Sequence, residues 1–360
     1  MPSVIISGFY GKGNLGDEAI LSGLKKIFPE VSNDLIPLTF DIDYTRELHG
    51  LNGIDRKNPL AVINGIKNCS MIISGGGGLF QDWSPLTPFY YGSIFFLGRI
   101  FQKRIFAIGQ SIGPLLRRTS EFITLASLKQ AEAILVRDIS SQEFLASRLK
   151  RSVCLSGDLV FQLESDYSIL KNQEKKIASD SSLEIGINLR NWKFSKKDFT
   201  GILCTALNRI SADLSSPNKI THCPFRGNDE FSITQRIENE IPDAVTYITR
   251  NHCDMIKKIS ELELFVTMRL HGIIFALINA TPFIALCYDE KMMNFLETFG
   301  LLEFAIKIED LTEEHFIKKY LLITENYNRI RDKLLIIKQR IREISITDRK
   351  RIRKLTGKQC

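Results

Sequence analysis

One unit recurs along this chain and narrows its fold more than any other feature: a short β-branched run ending in glycine, followed by a stretch with helical spacing. The first instance is "SVIISGF" (3–9), followed by "GNLGDEAILSGLKKIF". The run is short and apolar enough for a strand buried on both faces, and the glycines let the chain turn sharply into a helix. Similar strand endings follow in "MIISGGGGLF" (71–80), "RIFAIGQSIGPL" (104–115), "AILVRD" (133–138) and "VCLSGD" (153–158). Amphipathic stretches such as 60–68 and 120–131 lie between them. This repeated β-α alternation predicts a doubly wound parallel sheet over about the first 160 residues.

A polar segment, 164–182, then reads as an interdomain linker, and alternation resumes beyond it. "LEIGINLR" (183–190) and "KITHCPF" (219–225) read as strands on either side of the helical "DFTGILCTALNRISADL". "MIKKISELELFVTMR" holds a helix and then a strand, "GIIFALINA" a helix, and "PFIALCY" a strand. The expected fold is α/β with two Rossmann-like domains, 1–165 and 183–310, and a C-terminal helical segment, 311–360. A chain of 360 residues is long enough to bury two such cores. In the last segment Ile330, Leu334, Ile337, Ile341 and Ile344 form one helical stripe. The basic end "DRKRIRKLTGKQC" reads as the frayed, solvated end of a packed helix, or else as a contact for an anionic membrane face.

Seven cysteines without a C-x-x-C pair do not suit a disulfide framework and point to a reducing compartment. The N-terminus lacks the form of a signal peptide, and Arg99, Lys103 and Arg104 break the apolar stretch 94–108. A soluble, cytoplasmic protein is expected. The net charge of +7 fits an anionic partner. The basic residues are scattered, with no aromatics interleaved among them, which argues against nucleic acid.

In a doubly wound sheet the strand C-termini share one edge, where ligands bind. At that edge Gly8, Gly11, Gly13 and Gly16 crowd the first turn, where backbone N–H groups favour an anion. Asp17 follows, either capping the helix or presenting a carboxylate to the crevice. The four glycines of "SGGGGLFQD" (74–82) predict a turn lying against a ligand or a facing domain, with Asp82 as a cap or a catalytic acid. "GQSIGP" (109–114) adds a third glycine turn, and Arg137 in "VRD" is placed to meet an anion. In "MRLHG" both Arg269 and His271 precede a helix that Gly272 is expected to open. An arginine with a helix N-terminus behind it describes an anion pocket, and an imidazole held there titrates near neutral pH. Lys291 in "CYDEK" and Arg190 in "INLRNW" are further cations at strand ends. No metal-ligand spacing is visible.

The ordered set "GNLGDEAIL", "SGGGGLFQD", "GQSIGP", "VRD", "GD" (157–158), "GINLRNW", "MRLHG" and "CYDEK" resembles the polysaccharide pyruvyl transferase family, above all its bacterial cell-wall polymer members. The resemblance spans about residues 3 to 300. Two departures are "SGDLVF", which lacks the usual proline after the aspartate, and Gly272, one of several small residues used there. The resemblance implies a GT-B-like fold with the active site in the interdomain cleft. It implies phosphoenolpyruvate as co-substrate, with no other cofactor and no metal. Its carboxyethylidene group would pass to two hydroxyls of one sugar, giving a cyclic pyruvate ketal and phosphate. His271 then serves as general acid and Asp17 as the base. Arg137, Arg269, Lys291 and Arg190 bind substrate, together with Asn14, Gly16, Gly76, Gly77 and Gln110. The implied acceptor is a lipid-linked glycan intermediate of a cell-surface polysaccharide, at the inner face of the cell membrane. The alternative is a GT-B glycosyltransferase using a nucleotide-sugar, and a third class is a non-catalytic glycan-binding protein.

Overall fold

The computed structural model describes residues 3–84, 86–166, 182–192, 194, 196–212, 214 and 217–357. The chain divides into two units, residues 1–163 with 343–360 and residues 164–342. Most of the expected linker, 167–181, lies outside the described residues.

The first unit alternates strand and helix throughout: β1 (Val4–Tyr10), α1 (Leu15–Ile27), β2 (Leu35–Thr39), α2 (Ile42–His49), β3 (Ile54–Asp55), α3 (Pro59–Asn68), β4 (Met71–Phe80), α4 (Leu86–Ile100), β5 (Arg104–Ile112), α5 (Arg118–Leu128), β6 (Ala133–Val136), α6 (Ile139–Leu149) and β7 (Cys154–Leu155). Among the described residues the strands form one parallel sheet in the order β3-β2-β1-β4-β5-β6-β7. Val4, Ile5 and Ile6 in β1 and Ile72 and Ile73 in β4 are closed to solvent, as expected of central strands covered on both faces.

The second unit repeats the plan with β8 (Glu184–Asn188), α7 (Phe199–Ala212), β9 (Lys219–His222), α8 (Phe231–Glu240), β10 (Val245–Thr246), α9 (His252–Glu261), β11 (Leu264–Thr267), α10 (Leu270–Asn279), β12 (Phe283–Cys287), α11 (Glu290–Thr298), β13 (Ala305–Lys307) and α12 (Glu313–Glu325). Its parallel strands run β10-β9-β8-β11-β12-β13. Each sheet therefore reverses strand order once, at β1/β4 and at β8/β11, and such a reversal opens a crevice at the strand C-termini.

The last helix, α13 (Tyr327–Thr356), carries the predicted stripe: Ile330, Leu334, Ile337 and Ile341 are buried. Residues up to Arg342 belong to the second unit and 343–360 to the first. The expected fraying does not occur up to Thr356. Ile352 and Thr356 are buried, Arg104 donates to the carbonyls of Leu355 and Thr356, and Arg353 pairs with Glu30. No described helix is long and apolar enough to cross a membrane.

Two local expectations are corrected. The four glycines do not turn the chain; β4 runs through all of them to Phe80. The register against β5 slips after Gly77, and Gly76 and Gly77 take φ of 27° and 83°. A Cβ on Gly76 would lie 2.7 Å from Ile20 Cγ2 and 3.0 Å from Leu159 Cδ1. Close packing of α1 on this strand therefore accounts for Gly76 without any ligand. Likewise α10 starts at Leu270 rather than at Gly272, which places His271 inside its first turn. A Cβ on Gly272 would lie 2.1 Å from Thr267 Oγ1, so the glycine is where the helix passes close over β11.

Candidate active site

In the first unit the β1–α1 connection crosses the point where strand order reverses. Asn14 is the N-cap residue of α1, yet its side chain does not cap the helix; its amide donates instead to Asp17 Oδ2. The other carboxylate oxygen of Asp17 faces β4, 3.5 Å from where a Cβ on Gly77 would stand. Gly16, in the same turn, is buried. Asn14, Asp17 and Gly77 thus meet at the sheet reversal.

The loop before Asp17 is anchored from beneath. The buried Glu18 accepts from the Gly11 amide at 2.9 Å and lies 3.1 Å from His49 Nε2, while His49 Nδ1 lies 3.1 Å from Ser22 Oγ. Both members of the Glu18–His49 pair are closed to solvent. The pair is not legible in the sequence, because 31 residues separate its members.

Two strands along, Arg137 follows β6. Its Nε donates to Ser111 Oγ at 2.8 Å and its Nη1 to Asp158 Oδ2 at 2.6 Å. Nη2 makes no hydrogen bond to any described residue, so one side of the guanidinium is fixed and the other keeps its donors. Ser111 in turn donates to Asp138 Oδ2 at 2.5 Å. Asp138 also caps α6 through the Ser141 amide. Burial opposes ionisation of Asp138, but the Ser111, Ser141 and Ser140 hydroxyls and the Ser141 amide outweigh it and hold the carboxyl below its ordinary range.

Gln110 departs from its expected role. It is fully buried, and its amide donates to Ser74 O and Ser74 Oγ, tying β5 to β4. It stands beside Gly77 in the β4–β5 register, with its side-chain nitrogen committed to Ser74. Asp82 resolves as a cap: it is buried, and its two oxygens accept the Leu116 and Arg117 amides at 2.8 Å each, at the start of α5.

A group that the sequence did not reveal is built from four separate segments at the end of β1–β2–β3. Arg56 lies over the rings of Tyr90 (4.0 Å to centroid) and Phe40 (4.2 Å) and donates to Gly8 O and Tyr91 OH. Lys12 lies over Phe40, which meets Phe9 edge-on at 5.2 Å. The result is a cationic and aromatic wall beside the glycine loop.

In the second unit three adjacent strands each end in a cation. Arg190 follows β8, Arg269 follows β11, and Lys291 stands in the first turn of α11 after β12. His271 joins Arg269 at the start of α10. Thr267 Oγ1 accepts the Arg269 amide at 3.1 Å and donates to Asn188 Oδ1 at 3.0 Å, which fixes this corner to β8. The Arg269 guanidinium is ion-paired with Glu230, whose other oxygen accepts the Phe225 amide at 2.8 Å. Arg190 donates to Tyr288 OH at 2.7 Å and lies over the rings of Tyr288 and Trp192. Burial pushes the Tyr288 phenol upward against the pull of Arg190 and Arg269, so the neutral hydroxyl accepts from Arg190. A positive side chain at a helix N-terminus, as at Lys291, runs against the helix dipole, and the same dipoles at α10 and α11 favour an anion there. Among the described residues no three His, Cys, Asp or Glu side chains converge as metal ligands would.

A family model described as polysaccharide pyruvyl transferase matches residues 14–290, more than half of the chain. Solved structures share the fold at low identity. MnaA of S. aureus, solved with UDP, superposes with a TM-score of 0.67 at 12% identity over 99% of this chain and 98% of its own. The UDP-GlcNAc 2-epimerase of Neisseria meningitidis bound to UDP-GlcNAc gives 0.64 at 10% identity over 99% and 100%. The spinosyn forosaminyltransferase SpnP gives 0.57 at 10% identity over 99% of both chains. These likenesses show the fold, two Rossmann-like halves of the GT-B kind.

Proposed function

The chain belongs to the polysaccharide pyruvyl transferase family, and we propose that it moves the carboxyethylidene group of phosphoenolpyruvate onto two hydroxyls of a sugar in a cell-surface polysaccharide precursor. The observation that carries this reading is the row of cations at three adjacent strand ends, Arg190, Arg269 and Lys291, with His271 at a helix N-terminus among them. A donor bearing both a phosphate and a carboxylate needs several cations at rigid positions, and strand ends are rigid.

In this reading Arg137, Arg269, Arg190 and Lys291 hold the two anionic groups of the donor. His271 delivers a proton to the methylene carbon, which leaves an oxocarbenium-like centre at C2. A sugar hydroxyl forms a bond to C2 as its proton passes to Asp17. The C2–O bond to phosphate then breaks, with the electron pair leaving on phosphate, and the second hydroxyl closes the ketal. The two hydroxyl protons balance the reaction: one equivalent ends on the new methyl group and one on the released phosphate. His271 and Asp17 thus act in opposite directions, as acid and base. Phosphoenolpyruvate serves as a co-substrate, so the scheme needs no further cofactor or metal.

The test is a thermal-shift titration of the full chain with phosphoenolpyruvate, UDP, GDP and ADP. A ligand that prefers the folded state raises the midpoint with concentration. The expected result is a shift with phosphoenolpyruvate that is lost in Arg137→Ala. A shift with a nucleotide and none with phosphoenolpyruvate would overturn the donor assignment in favour of a nucleotide-sugar glycosyltransferase.

A further inference from the structure

Four large apolar side chains on one face of α4 stand open to solvent: Leu86 (74% exposed), Phe89 (52%), Phe96 (41%) and Ile100 (69%). Their spacings of three, seven and four place them on a single stripe. The opposite face, with Tyr91, Ile94, Phe95 and Gly98, is buried in the unit, so the helix is docked and the outer stripe is surplus to its folding. Trp83 and Leu116 extend the patch beyond the N-terminal end of α4, and both are exposed. They are carried on two loops that Asp82 binds together through the Leu116 and Arg117 amides. Exposed apolar residues lined up on one helix face mark a docking surface more often than singly scattered ones do.

Charge identifies the partner. Between Asp82 and Glu121 the chain has no acidic residue, while Arg99, Lys103, Arg104, Arg117 and Arg118 fall in that span. Arg104 and Arg117 in that span are paired with Glu132 and Asp82, so the charge beside the stripe rests on Arg99, Lys103 and Arg118. Such a stripe complements an anionic bilayer: the apolar side chains enter the acyl boundary and the cations meet headgroup phosphates. A second copy of this chain docked face to face would set the same cations against one another. We propose that the first unit docks on an anionic phospholipid bilayer through the α4 stripe together with Trp83 and Leu116.

This surface is not the basic tail. The tail helix is committed to the fold through buried Ile352, the Arg353–Glu30 pair and Asp348, which accepts the Gly157 amide at 2.6 Å. Trp83 follows β4 by three residues and Leu116 follows β5 by four, so the patch begins at the sheet edge that carries Asp17 and Arg137. A lipid-linked sugar in the same bilayer would meet that edge. The docking itself does not depend on which reaction the protein performs.

The test is flotation of the full chain with vesicles of phosphatidylcholine containing one-third phosphatidylglycerol, against vesicles of phosphatidylcholine alone. The wild type is expected to float with the anionic vesicles and to be weakened by salt. Leu86→Ser/Phe89→Ser/Ile100→Ser should lower partitioning roughly tenfold or more, because each lost apolar contact weakens insertion. Arg99→Gln/Lys103→Gln/Arg118→Gln should do the same and serves as the second variant should the serine variant fold poorly. Lys350→Gln/Lys354→Gln, on exposed positions of the tail, should bind as the wild type does. Wild type that stays unbound at low salt would overturn the proposal. So would binding that survives both α4-region variants and is lost in the tail variant. A wild-type dimer in solution that becomes monomeric in the serine variant, with no vesicle binding, would assign the face to a second copy and overturn it as well.

Discussion

Arg137 and Asp158 form an ion pair at 2.6 Å in which the side chains are only 7% and 1% exposed. Removing the carboxylate strands a buried guanidinium, and Asp158→Ala is expected to cost about 3–5 kcal/mol. Asp158→Asn keeps an acceptor in place and should cost less, about 1–3 kcal/mol. In both variants Arg137 loses the anchor on Nη1 while Ser111 still holds Nε, so the guanidinium can rotate. The phosphoenolpyruvate-induced thermal shift should shrink in Asp158→Asn even where the protein remains folded. Denaturant unfolding and the ligand shift measured on the same variant separate the two effects.

The corner that holds Arg269 depends on contact between Gly272 and Thr267. A methyl group on Gly272 would lie 2.1 Å from Thr267 Oγ1, so Gly272→Ala should destabilise by about 1–3 kcal/mol through overpacking. For a unit of this size that lowers the midpoint by roughly 2–4 °C per kcal/mol. Thr267→Ala alone also costs stability, because Asn188 Oδ1 and the Arg269 amide lose their partner. The double variant should be more stable than the sum of the two single losses predicts, since the collision is absent once the hydroxyl is gone. Additive losses would sink the packing explanation.

His222 gives a pH signature. The ring is fully buried, with Nδ1 3.2 Å from Thr234 Oγ1, and burial lowers its pKa to about 4 against a weaker opposing pull from Glu238. An unfolded histidine titrates near 6.5, so between about pH 6.5 and 4 the unfolded chain binds a proton that the folded chain does not. Stability contributed by neutral His222 is therefore complete above about pH 6.5, falls as pH drops through this window, and levels off below about 4. The full loss is on the order of 3 kcal/mol. Urea unfolding at pH 7 and pH 5 should show a larger drop for wild type than for His222→Gln. An equal drop in both proteins would assign the pH dependence elsewhere.

How much of this was legible depends on whether a feature is local in sequence. The two doubly wound sheets follow from β-branched runs that end in glycine, each read within a dozen residues, and Arg190, Arg269, His271 and Lys291 reached one sheet edge because strand C-termini share an edge. Contacts between distant segments were not legible. Glu230 reaches Arg269 across 39 residues, and Arg56 assembles its wall from Phe40 and Tyr90. The glycines misled for a related reason. A glycine that admits a ligand and one that admits a neighbouring helix look alike in a string, and Ile20 and Leu159, which decide for Gly76, lie far off in the chain. Gln110 likewise sits in a motif that points to the edge, but its side chain is fully buried and its amide nitrogen is taken up by Ser74.

In the proposed reaction, binding and proton transfer fall to different side chains. His271→Gln keeps a polar group of similar reach at the start of α10 but cannot deliver a proton from an imidazolium. Asp17→Asn keeps the shape beside Gly77 but cannot take one up. Each should lower kcat by roughly 10²–10⁴-fold, the usual range for a lost general acid or base. Each should also leave most of the phosphoenolpyruvate-induced thermal shift intact, since the cations assigned to the donor under the proposed function remain. Arg137→Lys should behave in the opposite way. It keeps a positive charge but loses the planar fork that bonds Ser111 and Asp158 on one side, so KM for phosphoenolpyruvate should rise more than kcat falls. Phosphate release with saturating acceptor, measured against donor concentration for the three variants, reads both quantities. If His271→Gln turned over near the wild-type rate, the proton at the methylene carbon would have to come from another group and the acid assignment would fall. If Asp17→Asn lost the donor shift along with turnover, the carboxylate would be organising the binding loop, and the base would have to be sought elsewhere.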